Sequence, residues 1–331
     1  VYNTPNINEV SMDADLGLYV QDSWRMNNLT LNAGLRYDYF KATVLANSLP
    51  AGRFAPARTF PQVDLPTFSD LSPRLGATYD LFGDGTTAVK VGVNKYVASM
   101  AADFARTYDP AVSSTDTRTW SDLNGDDIAQ DNEIGPSNNS RFGVASTRRP
   151  DDNLKREYNV EYNASIDRQL MPSLSVSAGY YRRTFHRLWF TDNVLLTAAD
   201  YFPAEVASPL NGEALTVWNL DSAKRGLVDE VDTNAPDGAR KQIYNGVEFT
   251  FQARTPGNGR ILGGVTYDRT RIANCSPDDP NANGGRFCDQ FGSNVDIPFR
   301  RLLKLSGFYP LPVWGIEVSG SFQSAPGSIS G

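Results

Sequence analysis

Residues 16–39 read LGLYVQDSWRMNNLTLNAGLRYDY, and the spacing of their apolar side chains decides the fold. Leu16, Leu18, Val20, Trp24 and Met26 hold even positions, with Asp22 the exception, while Gly17, Tyr19, Gln21, Ser23 and Arg25 hold odd ones. After Asn27-Asn28 the alternation resumes, with Leu29, Leu31, Ala33, Leu35, Tyr37 and Tyr39 opposed to Thr30, Asn32, Gly34, Arg36 and Asp38. Successive side chains of a strand point to opposite faces, so this period of two predicts a hairpin with one apolar and one polar face around a tight Asn-Asn turn.

The same pattern recurs along the chain. Leu71 to Phe82 and Thr87 to Val97 flank Gly83-Asp84-Gly85; Lys155 to Leu170 and Leu174 to Phe190 flank Met171-Pro172-Ser173. Ile243 to Ala253 and Ile261 to Arg271 turn at Pro256-Gly257-Asn258-Gly259, and Leu303 to Tyr309 and Ile316 to Phe322 turn through Pro310-Leu311-Pro312. This predicts an all-β chain of about ten antiparallel strands. Tight turns alternate with long connections, at about 41–70, 99–154, 191–240 and 272–298. Compact soluble domains favour short loops throughout, whereas a membrane barrel has short turns on one side and long extracellular loops on the other. The expected fold is therefore a transmembrane, up-and-down β-barrel segment over residues 1–331, with a soluble sandwich as the competing fold.

Composition agrees. Hydrophobic residues make up 40 % and mean hydropathy is -0.40. No stretch approaches the roughly 18 apolar residues of a membrane helix, but alternating barrel strands look polar on average. Lys and Arg total 31 against 38 Asp and Glu, which speaks against a nucleic-acid partner. A single histidine, His186, and two cysteines leave no His/Cys zinc set, and no nucleophile stands in a catalytic context, so the chain is not expected to be an enzyme. Leu16 to Trp24, Leu29 to Tyr39 and Leu71 to Leu81 fit the 9 to 11 or so residues of a tilted membrane strand. Trp24, Phe82 and Trp314 near the tight turns, and Tyr37, Tyr39 and Phe40 at the loop end, are the candidate interfacial girdles.

The stretch from Gly17 to Arg25, followed by Leu29 to Asp38, resembles the barrel of TonB-dependent receptors, and more narrowly the Oar-like group. Leu71-Ser72-Pro73-Arg74-Leu75-Gly76, Tyr158-Asn159-Val160-Glu161-Tyr162 and Tyr244-Asn245-Gly246-Val247-Glu248 carry the same resemblance. It implies the outer membrane of a Gram-negative-type bacterium and a plugged barrel of about 22 strands. It also implies a TonB box and energy-coupled uptake of a ligand captured outside, with the TonB complex, lipid and lipopolysaccharide as partners. Neither plug nor TonB box is found in these residues, and an aromatic-terminated last strand is absent at Ser330-Gly331, so a slice of a larger receptor is expected. A passive porin-like channel and a structural or adhesive barrel are the alternatives.

Three local features remain. In the second long loop Asp122, Asn124, Asp126, Ile128 and Glu133 fall at positions one, three, five, seven and twelve of an EF-hand-type loop, a spacing that gathers oxygens around structural Ca²⁺. Position six is Asp127 rather than Gly, so Asp131 is a candidate replacement for Glu133; a solvated, Asx-rich turn is the alternative. Cys275 and Cys288, in the fourth loop of an exported protein, are expected to form a disulfide. Arg182, Arg183 and Arg187 at a strand end are candidates for lipopolysaccharide phosphates or a lumenal ligand, or form a solvated basic rim. The polar face, with Arg36, Asp38, Arg74, Asp80, Glu157, Glu161, Asp167, Glu248 and Arg254, is the expected lumen wall.

Overall fold

Ten long strands form one continuous antiparallel sheet in which each strand pairs with the next in sequence. The structure, a computed structural model, describes residues 1–236, 239–276, 288–292 and 297–327. The strands are β1 (Val10–Met26), β2 (Leu29–Val44), β3 (Phe68–Asp80), β4 (Thr87–Val97), β5 (Tyr158–Met171), β6 (Leu174–His186), β7 (Lys241–Arg254), β8 (Arg260–Ala273), β9 (Arg300–Pro310) and β10 (Glu317–Ser324). Among the described residues no ladder joins β1 to β10, so both edges of the sheet are free.

Register follows the alternation. Leu31 faces Ala77, which faces Val91, which faces Ala164. One residue along, Asn32 faces Gly76, Gly92 and Asn163 in turn. The apolar row and the polar row therefore run unbroken across four strands, β2 to β5. The turns carry the backbone strain: Asn27, Gly83, Gly85, Gly257 and Asn258 all have positive φ, which Gly and Asn tolerate best. Asp80, expected on the polar wall, instead accepts the Gly83 and Gly85 amides at 3.0 and 2.8 Å and so closes its turn.

The packed core is not inside the sheet but at its loop end. Phe40, Ala42, Val44 and Phe68 are buried together with Leu65, Phe104, Ala105, Tyr108 and Leu154. The short helix α1 (Ala102–Thr107) of the second long connection lays Phe104 across Phe40 and Phe68, with ring centroids 6.1 and 5.3 Å apart. Trp189 completes the aromatic cluster, 5.9 Å from Phe104. Phe40 pairs in register with Phe68 and shares its parity with Asp38 and Arg36. Its ring is 0 % exposed, so the expected assignment of Phe40 to an outer girdle is corrected: it lies on the polar face beneath the folded loop. Tyr37 and Tyr39 hold the apolar-face positions.

The long connections carry their own structure. A parallel pair and an antiparallel pair join Arg149–Pro150, Glu230–Asn234 and Trp189–Asn193, so the second and third connections share one small sheet. Cys275 and Cys288 form the expected disulfide. The Pro277 to Pro280 and Gly284-Gly285 segments that they bracket lie outside the described residues.

Removing a buried aromatic ring of this kind costs about 3–5 kcal/mol. Phe104→Ala is expected to speed protease cleavage within residues 98–157 at least tenfold while the strand ladder stays resistant; unchanged cleavage in that segment contradicts the packing described.

Candidate functional site

Two features at the loop end have the makings of a site: the mouth where loops cross the polar face, and the acidic turn at 120–133. At the mouth Asp232, 3 % exposed, is the shared acceptor. Tyr108 Oη donates to it at 2.9 Å, Arg148 Nε and Nη2 at 2.9 and 3.0 Å, and Thr191 Oγ1 at 2.6 Å. Four donors from two connections converge on one carboxylate, which satisfies the buried charge and fixes the loops to one another. Burial, reinforced by the Asp232 carboxylate, pushes the Tyr108 phenol far above its ordinary value, so Tyr108 stays a donor. Beneath the aromatic cluster Arg156, 5 % exposed, lies 5.7 Å from the centroids of Phe40 and Phe68 and 3.6 Å from Asp70. A recess of about 550 Å³ opens beside these groups, lined by Met100, Phe104, Tyr108, Arg148, Glu157 and Trp189.

The acidic turn is held by its own backbone. Asp122 accepts the Gly125 and Asp127 amides at 2.7 and 3.0 Å, and Asp126 accepts the Ile128 amide at 2.8 Å. Glu133 reaches back to the Leu123 amide at 2.9 Å and the Gln130 amide at 3.2 Å. One carboxylate oxygen from each of Asp122, Asp126 and Glu133 lies within 4.8 Å of the others. Asn124 sits among them, its Nδ2 donating to Asp126 at 3.0 Å. Asp131, the candidate replacement for Glu133, pairs with Arg53 at 2.7 Å, and Ile128, expected to offer its carbonyl, has an exposed side chain. Asp127 adopts φ 59°, taking up the left-handed conformation for which a glycine was expected.

The basic strand end is divided by parity. Arg183 lies on the polar face and pairs with Glu161, while Arg182 lies on the apolar face and donates to Asn245 Oδ1 at 3.1 Å. Arg187 ends 3.9 Å from Asp70. His186 stacks on Tyr158, and Thr184 Oγ1 lies 2.9 Å from its Nε2.

Residues 2–324 match the family described as outer membrane beta barrel domain. The chain belongs to that family. It is an outer-membrane protein, and the apolar face of its sheet meets lipid while the polar face lines the lumen. No curated protein matches the sequence. Among solved structures it is similar to the FrpB iron transporter of Neisseria meningitidis (F3-3 variant), at 15 % identity and TM-score 0.49, with 92 % of this chain and 32 % of that one covered. The alcaligin outer-membrane receptor FauA of Bordetella pertussis follows at 13 % and 0.45, over 93 % and 36 %. The outer-membrane transporter YddB of Escherichia coli gives 10 % and 0.43, over 88 % and 40 %. The chain spans about a third of the length of the first of these structures.

In the barrel frame the lumenal charges are paired across strands. Arg183 meets Glu161, Arg300 meets Asp268 at 3.1 Å and Lys90 meets Asp167 at 2.6 Å, while Arg36 meets Asp38 at 2.8 Å along β2 itself. Arg36 also lies across Gly17, where a Cβ would fall 2.2 Å from its Nη2. The alternation had marked the wall. It had not marked Phe104, Trp189, Arg156 or Asp232, although two phenylalanines facing each other at polar-parity positions were a sign that something apolar covers them.

Backbone hydrogen bonds, led by the Asp127 amide at Asp122 and the Ile128 amide at Asp126, hold both carboxyls below the ordinary aspartate value of 3.8. Groups with depressed folded values contribute stability that is present above the unfolded value and lost as pH falls through the folded one. Trp120, whose indole donates to Glu133 at 3.4 Å, reports on this turn. Its fluorescence is expected to stay constant from pH 8 to 5 and to change only below pH 3.8; a transition near pH 6 contradicts the hydrogen bonding described.

Proposed function

We propose that this chain is part of the barrel of a TonB-dependent receptor that captures a ligand at its outer mouth and passes it through a plugged lumen. The observation that carries the proposal is the loop helix α1: it folds over the lumenal side of the mouth and is fastened there by Phe104 on Phe40 and Phe68 and by the Asp232 bonds. A passive porin needs an open, wetted mouth, whereas this mouth is narrowed by an ordered cap with a recess beside it. The free edges of β1 and β10 support a wall that continues in further strands, since long unpaired edges are a liability in a finished barrel. The long connections then face outward. Membership of the Oar-like group rests on the hairpin motifs quoted above, from Gly17 to Asp38. The work is binding and translocation rather than bond chemistry.

The decisive observation is the reading frame that contains these residues. It is expected to encode a globular plug domain and a TonB box ahead of Val1 and further barrel strands. A frame without a plug, or steady ion conductance of the full-length protein in planar bilayers, overturns the proposal in favour of an adhesive barrel or a passive channel respectively.

For the acidic turn we infer structural Ca²⁺ held by Asp122, Asp126 and Glu133, with Asn124 beside them, ordering an outward-facing loop; the mutual approach of the three carboxylates supports it. Calorimetric titration with CaCl2 is expected to give heat that Asp122→Ala abolishes. Equal heats from both proteins contradict it.

A further inference from the structure

Three hollows on the lumenal face descend the same strands, β1 to β5, one below another. The recess under the loop cap, with Tyr108, Glu157 and Trp189, shares Ala98, Ser99 and Met100 with a well of about 250 Å³ below it. That well, between Arg36, Asp38, Ser72, Tyr96 and Arg156, shares Arg74 with a hollow of about 650 Å³ lower still. The ladder sets their order: Phe40 faces Phe68 beneath the cap, Arg36 faces Ser72 in the well, and Asn32 faces Gly76 in the lowest hollow. From Phe68 to Gly76 along β3 the run covers about 27 Å, at about 3.4 Å per residue. A further hollow of about 500 Å³ lies on β5 to β9, around Asp167, Glu248 and Lys304, and has no lining residue in common with the other three.

The well is balanced in charge and short of hydrogen-bond partners. Arg36, Arg74 and Arg156 line it with Asp15 and Asp38, and Asp70 lies 3.6 Å from Arg156. Ser72 is 1 % and Arg156 5 % exposed, yet Ser72 Oγ, Arg156 Nε and Asp38 Oδ2 are all buried without a hydrogen-bond partner. Buried polar groups left unpaired are costly, so a hydroxyl, a donor and an acceptor gathered in one well point to a polar occupant. Lower down, Gln21, Asn32, Asn94 and Asn163 surround Gly34, Gly76 and Gly92. Packing alone does not require glycine at 34 or 76, where an added Cβ would meet its nearest neighbour at 3.5 and 3.6 Å. What the missing side chains leave is depth.

We infer that the three hollows form one groove along which ligand passes the plug, and that the ligand is a neutral polyhydroxylated chain, an oligosaccharide. The inference deepens the transport reading above and rests on it. The length of the groove suits an elongated molecule. An ion of either sign entering the well meets like charge, from three arginines or from three carboxylates. A hydroxyl donates one hydrogen bond and accepts two, so successive hydroxyls meet the mixed donors and acceptors of the well in either role, and the carboxamides of the lowest hollow also offer both. The C–H faces of pyranose rings lie well against flat aromatic rings, which Trp189 and Tyr96 supply along the groove. A peptide, whose donors and acceptors are separate atoms at fixed spacing, matches this mixture less well.

The test is thiol labelling of the full-length protein in intact cells by an uncharged, membrane-impermeant maleimide added outside, with the introduced cysteine as the free thiol. Asn94→Cys and Asn163→Cys, in the groove, are expected to label at least tenfold faster than Thr250→Cys, in the hollow that does not join the mouth. Gly34→Trp, or Gly34→Leu if the larger ring prevents assembly, is expected to slow labelling of Asn163→Cys at least fivefold. Maltohexaose, cellohexaose and xylohexaose are the probes of ligand class. At least one of them is expected to slow labelling of Asn94→Cys threefold or more, while the anionic hexagalacturonate and the peptide hexaglycine leave it unchanged. Slow labelling at both 94 and 250 overturns the groove and leaves the plugged lumen standing; fast labelling at both reveals an open lumen and overturns the transport reading with it. Indifference to the Gly34 substitutions overturns the continuity of the groove. Protection by none of the three neutral sugars, or equal protection by hexagalacturonate or hexaglycine, overturns the ligand class.

Discussion

A slip of one residue in the ladder that sets Leu31 against Ala77 and Ala77 against Val91 would exchange the two faces of the wall. Arg74 and Lys90 would enter lipid, and Leu75 and Val91 would enter the lumen. Each buried cation then costs about 2–4 kcal/mol at mid-membrane depth, and several strands would pay at once. The register is therefore the interaction on which the remaining structure depends. Two-residue turns at Asn27-Asn28 and Pro172-Ser173 fix it locally, while Asp80 does so through the amides of Gly83 and Gly85.

The same register explains why the larger apolar core among the described residues is at the mouth. Strands β1 to β3 run past the length a membrane requires, and their loop ends carry Phe40, Ala42, Val44 and Phe68 at positions that below would face water. Those side chains are buried because the long connections fold over them, with Phe104 and Ala105 of α1 joined by Leu65, Tyr108 and Leu154. Asp232 and Arg148 then tie the second and third connections together. A loop layer built in this way is ordered by packing from beneath and by charge from within, so its shape is set before any ligand arrives.

Much of this was legible in the sequence, and the reason is geometric. Period two survives in a barrel because one face always meets lipid, so the hairpin from Leu16 to Tyr39 displays its two faces as directly as a diagram would. The alternating turn and loop lengths announced the membrane in the same way. The loop layer was opaque because its contacts join residues far apart in sequence with no period: Tyr108 to Asp232, or Phe104 to Phe40. Phe40 was assigned to a girdle from its place at a strand end, whereas its parity already put it with Arg36 and Asp38. The acidic turn was visible as a spacing, but only the fold separates Asp131, drawn off by Arg53, from Asp122, Asp126 and Glu133.

The most direct test of the two-faced wall is a cysteine scan along β4, each residue from Val89 to Asn94 replaced in turn and labelled with a fluorophore in the full-length protein reconstituted into vesicles. Brominated lipid is predicted to quench labels at 89, 91 and 93, and a water-soluble quencher those at 90, 92 and 94. Uniform aqueous quenching at all six positions would contradict a membrane wall, and reversed parity would contradict the register.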